Sequence, residues 1–143
     1  MLKHGCTIPI GVALFCLAGC QNGGVTQAIE LPQSARLRTA AEMRQAVGPE
    51  GLTSWGHDLN GNKFVSYASP DGITKTESGS FADTGTWHAT DNNKFCIKWH
   101  KIRSGAETCL TQYDQGNDIY SVLPDGKVVS VVTRSEPGNP MHL

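Results

Sequence analysis

Cysteine and histidine are the residues of this chain best suited to chemistry, because thiolates and imidazoles bind metal ions and act as nucleophiles or bases. The chain has 5 cysteines among 143 residues, and His57, His88 and His100 lie in its strand-rich part. Each of these histidines falls at or near the end of a predicted strand, where the three could converge on a metal ion or serve a hydrolytic reaction. Nothing in their spacing requires a shared site. We therefore interpret them as separate surface residues and predict no metal and no catalytic residue.

The first two cysteines, Cys6 and Cys16, belong to a predicted export leader, and the third, Cys20, directly follows it. Lys3 precedes an apolar run, residues 8–17, which is shorter than the roughly 20 residues that cross a bilayer and is typical of a secretory signal. The run ends in Leu17-Ala18-Gly19-Cys20, which resembles the bacterial lipobox. That resemblance implies cleavage before Cys20 and acylation of its thiol with diacylglycerol and palmitate-type chains. The alternative is an ordinary secretory signal that ends near a cysteine.

These features divide the chain into three parts. Residues 1–19 are predicted to be the lipoprotein signal peptide, residues 20–35 a flexible tether with a Gly-Gly pair and a proline, and residues 36–143 a small β-domain. Two or more acyl chains on Cys20 would anchor the protein stably to a membrane. Gln21 stands where aspartate would indicate retention in the inner membrane. We therefore predict an outer-membrane lipoprotein of the cell envelope, with its domain in the periplasm or at the surface.

The two cysteines that remain, Cys96 and Cys109, are predicted to form a disulfide. They are the pair left for the folded domain, and the envelope is an oxidising compartment. A zinc site is the alternative, but two thiolates without a convincing flanking His or Cys leave the ion short of ligands. We predict a disulfide and no cofactor.

The domain is predicted to be mainly β. Turn pairs such as Asn60-Gly61 and Asp71-Gly72 separate short strands that lie about ten residues apart. Such spacing leaves no room for parallel crossovers, so the strands must form an antiparallel meander, either a small barrel or a strongly curved sheet. The eight predicted strands cover residues 52–57, 63–69, 73–78, 85–90, 94–100, 107–113, 118–123 and 127–134. Alternation predicts that Phe95, Ile97 and Trp99 share one face.

One short helix is predicted before the strands. Thr39 and Glu42 have the spacing of a capping box, and Gly48-Pro49 ends the helix. Leu37, Ala40, Met43 and Val47 are predicted to form its apolar face. A helix this short is unstable alone, so it must cover the sheet or plug one end of it.

Other motifs argue against common functions. Asp58-Leu59-Asn60-Gly61-Asn62 has oxygen ligands at alternate positions, but its glycine is one place too early for a calcium loop and position twelve is Ser69, so we interpret it as a hairpin turn. The net charge of −1 gives no electrostatic case for nucleic acid. No phosphate loop, dinucleotide fingerprint or nucleophile motif is present, and the three tryptophans are interpreted as core rather than as a sugar-stacking platform.

Several motifs together are similar to one bacterial family. Gly85-Thr86-Trp87, Phe95-Cys96-Ile97-Lys98-Trp99, Cys109, Gly116-Asn117-Asp118-Ile119-Tyr120 and Pro137-Gly138-Asn139-Pro140 resemble an uncharacterised exported or lipoprotein domain, the domain of unknown function 995. The resemblance covers about residues 37–143. It supports the domain boundaries and the disulfide, and it implies no activity.

Four functions follow as hypotheses. The first is a non-enzymatic envelope lipoprotein whose β-domain is structural or binds another envelope component. The second is a barrel that binds a small apolar molecule, which needs an interior larger than side chains fill. The third is an inhibitor of secreted proteases, which needs a protruding N-terminal arm. The fourth is a hydrolase, which needs converging histidines.

Overall fold

The computed structural model describes residues 28–143, which form a closed antiparallel β-barrel. Each barrel strand pairs with the next along the chain, and the last strand closes the barrel by pairing with the first. The predicted meander is confirmed, and it is a barrel rather than an open sheet. Its strands are β2 (Leu52–Asp58), β3 (Lys63–Ala68), β4 (Ile73–Ser78), β5 (Phe81–Ala89), β6 (Lys94–Trp99), β7 (Glu107–Gln115), β8 (Asp118–Val122) and β9 (Val128–Pro137); β1 (Arg36–Leu37) and α1 (Ala40–Val47) precede them.

The strand β1 was not predicted. It pairs with Tyr113 and Asp114 of β7, beyond Thr111, the last residue of β7 that pairs with β6. Leu37, predicted to belong to the apolar face of the helix, lies instead in β1 and is 41% exposed. That prediction was wrong because the helix is capped at Thr39, so its apolar face can begin only after that residue.

The helix α1 is capped at both ends, by Thr39 and by Gly48. The Thr39 side chain accepts from the backbone N–H of Glu42, and the Thr39 N–H donates to Glu42 Oε2 at 2.8 Å, so the predicted capping box is confirmed. Gly48 ends the helix with a positive φ of 57°, and its N–H donates to the Arg44 carbonyl. Within the described residues no helix is long and apolar enough to span a bilayer.

The helix closes one end of the barrel, which we call the helix end. Ala40, Met43 and Val47 are buried against Trp87 and Ala89, at the last residues of β5. Leu52, Ala68, Phe95 and Ile97 pack around the same cluster. At about 25 cal/mol per Å² of apolar surface removed from water, this burial explains how eight residues remain helical.

Two turns differ from the sequence expectation. The backbone N–H of Asp58 donates to the Asn62 carbonyl, so the β2–β3 connection encloses three residues with Gly61 at φ 80°, not the predicted two-residue turn. Two-residue turns occur elsewhere: Gly79-Ser80 joins Ser78 of β4 to its partner Phe81, and Gly116-Asn117 joins β7 to β8. β5 therefore starts four residues before the predicted Gly85.

The segment before β1 lies against the outside of the barrel. Ile29 and Leu31 pack on a cluster of buried valines, Val122, Val128 and Val131, from β8 and β9. These two residues fall in the part of the chain predicted to be a tether. Their contacts give the outer wall a second apolar cluster on the opposite side of the sheet from the barrel interior.

Candidate ligand-binding cavity

The inner wall of the barrel follows from strand alternation. Phe95, Ile97 and Trp99 of β6 share one face, as predicted, and that face lines the interior, while Cys96 and Lys98 between them face outward. The interior is not filled by its side chains. It contains a cavity of about 590 Å³, within the roughly 300–1,000 Å³ range of small-molecule sites.

The helix covers one end of the cavity. Met43 and Val47 of α1 form its floor at the helix end. The opposite end, which we call the mouth, is bordered by Leu59, Phe81, Ile102 and Arg103. Phe81 is 42% exposed there, so an apolar ring stands at the entrance. Between the two ends the large apolar side chains of the wall are Phe64, Phe95, Ile97, Trp99, Leu110, Ile119 and Val132.

The hydroxyl groups of β3 and β4 add little polarity to this wall. Ser66 Oγ donates to Thr76 Oγ1 at 2.8 Å, and Thr76 Oγ1 donates to the Val65 carbonyl at 3.1 Å. Thr74 Oγ1 donates to the Tyr67 carbonyl at 2.9 Å. Because these donors are satisfied by the wall itself, the cavity presents a mostly apolar surface to a ligand.

A loop at the mouth is hydrogen-bonded to one buried carboxylate. Asp83 is 5% exposed, and its Oδ2 accepts from the backbone N–H groups of Lys101 and Ile102, each at 2.9 Å. This fixes the 3-10 turn Ile102–Gly105, in which Arg103 and Ser104 have positive φ. The sequence reasoning missed Asp83 because it started β5 at Gly85. With β5 starting at Phe81, alternation places this acid on the inner face.

The ionisation of Asp83 makes the loop sensitive to acid. Burial would raise the pKa of Asp83, but the N–H groups of Ile102, Lys101 and Thr84 and the nearby Lys101 charge together hold it below the ordinary value of 3.8. A lowered folded-state pKa stabilises the fold above the ordinary value, and this contribution is lost as pH falls through the folded-state pKa.

We therefore expect Asp83→Ala to speed hydrogen exchange of the Lys101 and Ile102 amides by about tenfold or more at neutral pH, since both amides lose a charge-assisted bond. Hydrogen exchange followed by NMR checks this, and acidification of the wild type through the folded-state pKa of Asp83, which lies below 3.8, should lower the protection of both amides relative to their intrinsic exchange rates. Asp125→Ala, in an exposed turn where the carboxylate accepts from Lys127 N–H, is the control. Equal exchange in wild type and Asp83→Ala would contradict the assignment.

The predicted disulfide is present on the outer wall. Cys96 of β6 and Cys109 of β7 are directly paired in register and bonded to each other. His88 of β5 is the register partner of Cys96 on the other side. The disulfide thus joins two neighbouring strands of the barrel and does not occupy the interior.

The three candidate histidines do not form a common group with one another. Among residues 28–143, the metal-competent cluster consists of His88, Cys96 and Glu107, whose ligand atoms lie within 4.8 Å of one another. It contains neither His57 nor His100, and the Cys96 sulfur is committed to the disulfide. The geometry gives no converging histidine site for hydrolysis.

The Asp58 loop forms a turn. Asp58 Oδ1 accepts from the backbone N–H groups of Asn60 and Asn62, and Oδ2 accepts from Asn62 Nδ2 at 2.9 Å. Burial would raise the pKa of Asp58, but the hydrogen bonds from Asn62 and Asn60 lower it below its ordinary value. These oxygens already serve the hairpin, in agreement with its interpretation as a turn.

The tryptophans occupy three different environments. Trp87 is buried under the helix, and its Nε1 donates to the Ser69 carbonyl at 2.8 Å, so the expectation of a core residue holds for it. Trp99 lines the cavity. Trp55 lies on the outer wall beneath the Arg134 guanidinium, 4.3 Å from the ring centre. Alternation on β2 explains why Trp55 faces away from the interior.

The predicted lipidation site, Cys20, lies outside the described residues. No family model, curated protein or solved structure matches this chain. The functional argument therefore depends on the geometry of the barrel itself.

Proposed function

We propose that this protein is a non-enzymatic binding protein that holds one small apolar or amphipathic molecule inside its barrel. The observation that supports the proposal is the cavity of about 590 Å³, which has an apolar wall and a helical floor. Of the hypotheses raised by the sequence, ligand binding alone required an interior larger than its side chains fill. A purely structural barrel gains stability from a packed interior. An unfilled interior of this size therefore favours ligand binding over a purely structural role.

The proposed location suits this activity. A barrel anchored through acylated Cys20 would be held at the surface of a bilayer, which is itself a source of apolar and amphipathic molecules. Its partners are then the membrane, through the lipid anchor, and the enclosed ligand. Nucleic acid is not among them, because the net charge of −1 offers no electrostatic attraction.

A neutral fluorescent probe tests ligand binding directly. N-phenylnaphthylamine fluoresces when it leaves water for an apolar site, and it carries no charge that could bind elsewhere by ion pairing. We expect saturable enhancement with one site per chain, using the protein from residue 21 onward, which contains the whole described barrel. Enhancement that stays linear with probe concentration, or is absent, would contradict the proposed function.

The anchor is tested separately by Cys20→Ala. We expect this change to abolish incorporation of labelled palmitate and to release the protein from membranes into the soluble fraction, because the acylated thiol is lost. Metabolic labelling followed by membrane fractionation checks this, and Cys16→Ala, inside the predicted leader, is the matched control. Labelling that persists in Cys20→Ala would contradict the lipobox assignment.

A further inference from the structure

One charged side chain lines the cavity at the helix end. Arg38 follows β1, its backbone N–H donates to the Gln112 carbonyl of β7, and it is among the residues that line the cavity. Its side chain is only 16% exposed. Among residues 28–143, its Nε is buried and has no hydrogen-bond partner. Leaving a guanidinium donor buried and unpaired is costly, so its presence needs an explanation.

The nearest carboxylate, Asp114, forms a long ion pair with Arg38 but no hydrogen bond to its Nε. Asp114 Oδ1 lies 3.6 Å from Arg38 Nε, beyond hydrogen-bond distance. Asp114 is instead bonded to Arg36, whose Nη2 donates to Oδ2 at 2.9 Å. Arg36 also pairs with Glu42 at 2.9 Å. Asp114 is thus hydrogen-bonded to the exposed Arg36, and the Nε of the buried Arg38, which lines the cavity, is left without a hydrogen bond.

Other polar side chains continue the same strip of wall. Gln112 of β7 pairs in register with Ser121 of β8, and Ser121 pairs with Ser130 of β9. All three line the cavity together with Arg38. Seen from the helix end, a polar strip therefore begins at Arg38, while Phe95 and Ile97 supply apolar surface on the adjacent β6. This arrangement suits a molecule with a polar head and an apolar body.

We propose that the ligand is a single-chain amphiphile with an anionic head, such as a carboxylate, and that Arg38 binds this head at the helix end. The inference rests on the proposed function, since it assigns the polarity and direction of a ligand in the same cavity. The apolar chain then extends along Leu110 and Trp99 toward the mouth. A carboxylate oxygen of the ligand accepts the hydrogen bond that Asp114 is too far away to accept from Arg38 Nε.

Matched competitors of equal chain length test the head-group assignment. Dodecanoic acid and dodecanol are titrated against bound N-phenylnaphthylamine, below their micelle concentrations and at neutral pH. We expect the acid to displace the probe at roughly 10- to 100-fold lower concentration than the alcohol, the range of a charge-assisted hydrogen bond in a water-poor site. In Arg38→Met this preference should disappear, so that the acid and the alcohol displace the probe at about the same concentration.

The variants are chosen to keep the fold intact. Arg38→Met removes one long ion pair and a buried donor that has no hydrogen bond, and it leaves Asp114 bonded to Arg36, so we expect its melting temperature to stay close to that of the wild type. Arg134→Gln removes the same charge from the outer wall, where it lies over Trp55, and should keep the preference for the acid. Arg38→Lys should retain part of the preference for the acid over the alcohol.

The outcomes separate the two proposals. Probe binding without any preference for the acid, or an acid preference that survives Arg38→Met, overturns the role of Arg38 and leaves ligand binding standing. The second of these results would place the head near Arg103 at the mouth. Absence of probe binding in the wild type overturns the proposed function itself.

Discussion

Ser66→Phe is expected to weaken binding of N-phenylnaphthylamine by roughly tenfold or more while the barrel stays folded. Ser66 lies on β3 and faces the cavity, so a phenyl ring at this position enters the space that a ligand would occupy. The hydroxyl that is lost donates only to Thr76 Oγ1. Thr76 Oγ1 keeps its own hydrogen bond to the Val65 carbonyl, so its buried hydroxyl donor still has an acceptor.

The neighbouring residue provides the matched control. Val65 faces outward from the same strand, between Trp55 and Glu77. Val65→Phe adds a ring to the outer wall and should leave probe affinity unchanged. The double variant Ser66→Phe/Ser121→Phe narrows the cavity from two strands and should bind no probe. Equal probe affinity in wild type and the double variant, with melting temperatures confirming both folds, would mean that the probe binds outside the barrel.

Cys96→Ser is expected to destabilise the domain by roughly 3 kcal/mol, the loop-entropy value for a bridge across a separation of 13 residues. For a domain of this size the loss lowers the melting temperature by about 10 °C or more. The loss is a large share of the free energy of unfolding of a small domain, which is roughly 5–15 kcal/mol. The barrel should still fold at room temperature, because β6 and β7 keep their backbone pairing. Thermal unfolding followed by circular dichroism measures the effect.

Reduction offers a control without any substitution. Wild-type protein in dithiothreitol should melt at the temperature of Cys96→Ser, and the variant itself should be insensitive to dithiothreitol. In Cys96→Ser the remaining Cys109 should react with iodoacetamide, whereas the oxidised wild-type domain should not. Two alkylated thiols in unreduced wild type, or unchanged melting in the variant, would contradict the stabilising role of the bridge.

Much of the fold could be predicted because its signals are local. The capping residues Thr39 and Glu42 fix the start of the helix, and alternation in residues 94–99 separates the inward Phe95 and Trp99 from the outward Cys96. Closure of the barrel could not be predicted. It depends on pairing between β2 and β9, some 80 residues apart, and on a register shift at Trp55/Gly56 that bends the sheet.

The candidate site was harder to predict than the fold for a physical reason. A cavity is a property of the space between strands that are distant in sequence, and no motif encodes its volume. Arg38 and Asp83 illustrate the difficulty. Each looks like an ordinary charged residue near a turn or helix start, and only the register of β1 with β7 and of β5 with β4 directs them inward.

Native mass spectrometry of the protein from residue 21 onward, released from the periplasm of its own cells without detergent, tests the central claim most directly. We expect folded charge states that carry one small-molecule adduct per chain, lost on denaturation and absent from the Ser66→Phe/Ser121→Phe variant. The chain mass should also be two hydrogens below that of the reduced protein, as the Cys96–Cys109 bond requires. A bare chain, both as purified and after addition of N-phenylnaphthylamine, would contradict ligand binding in the barrel.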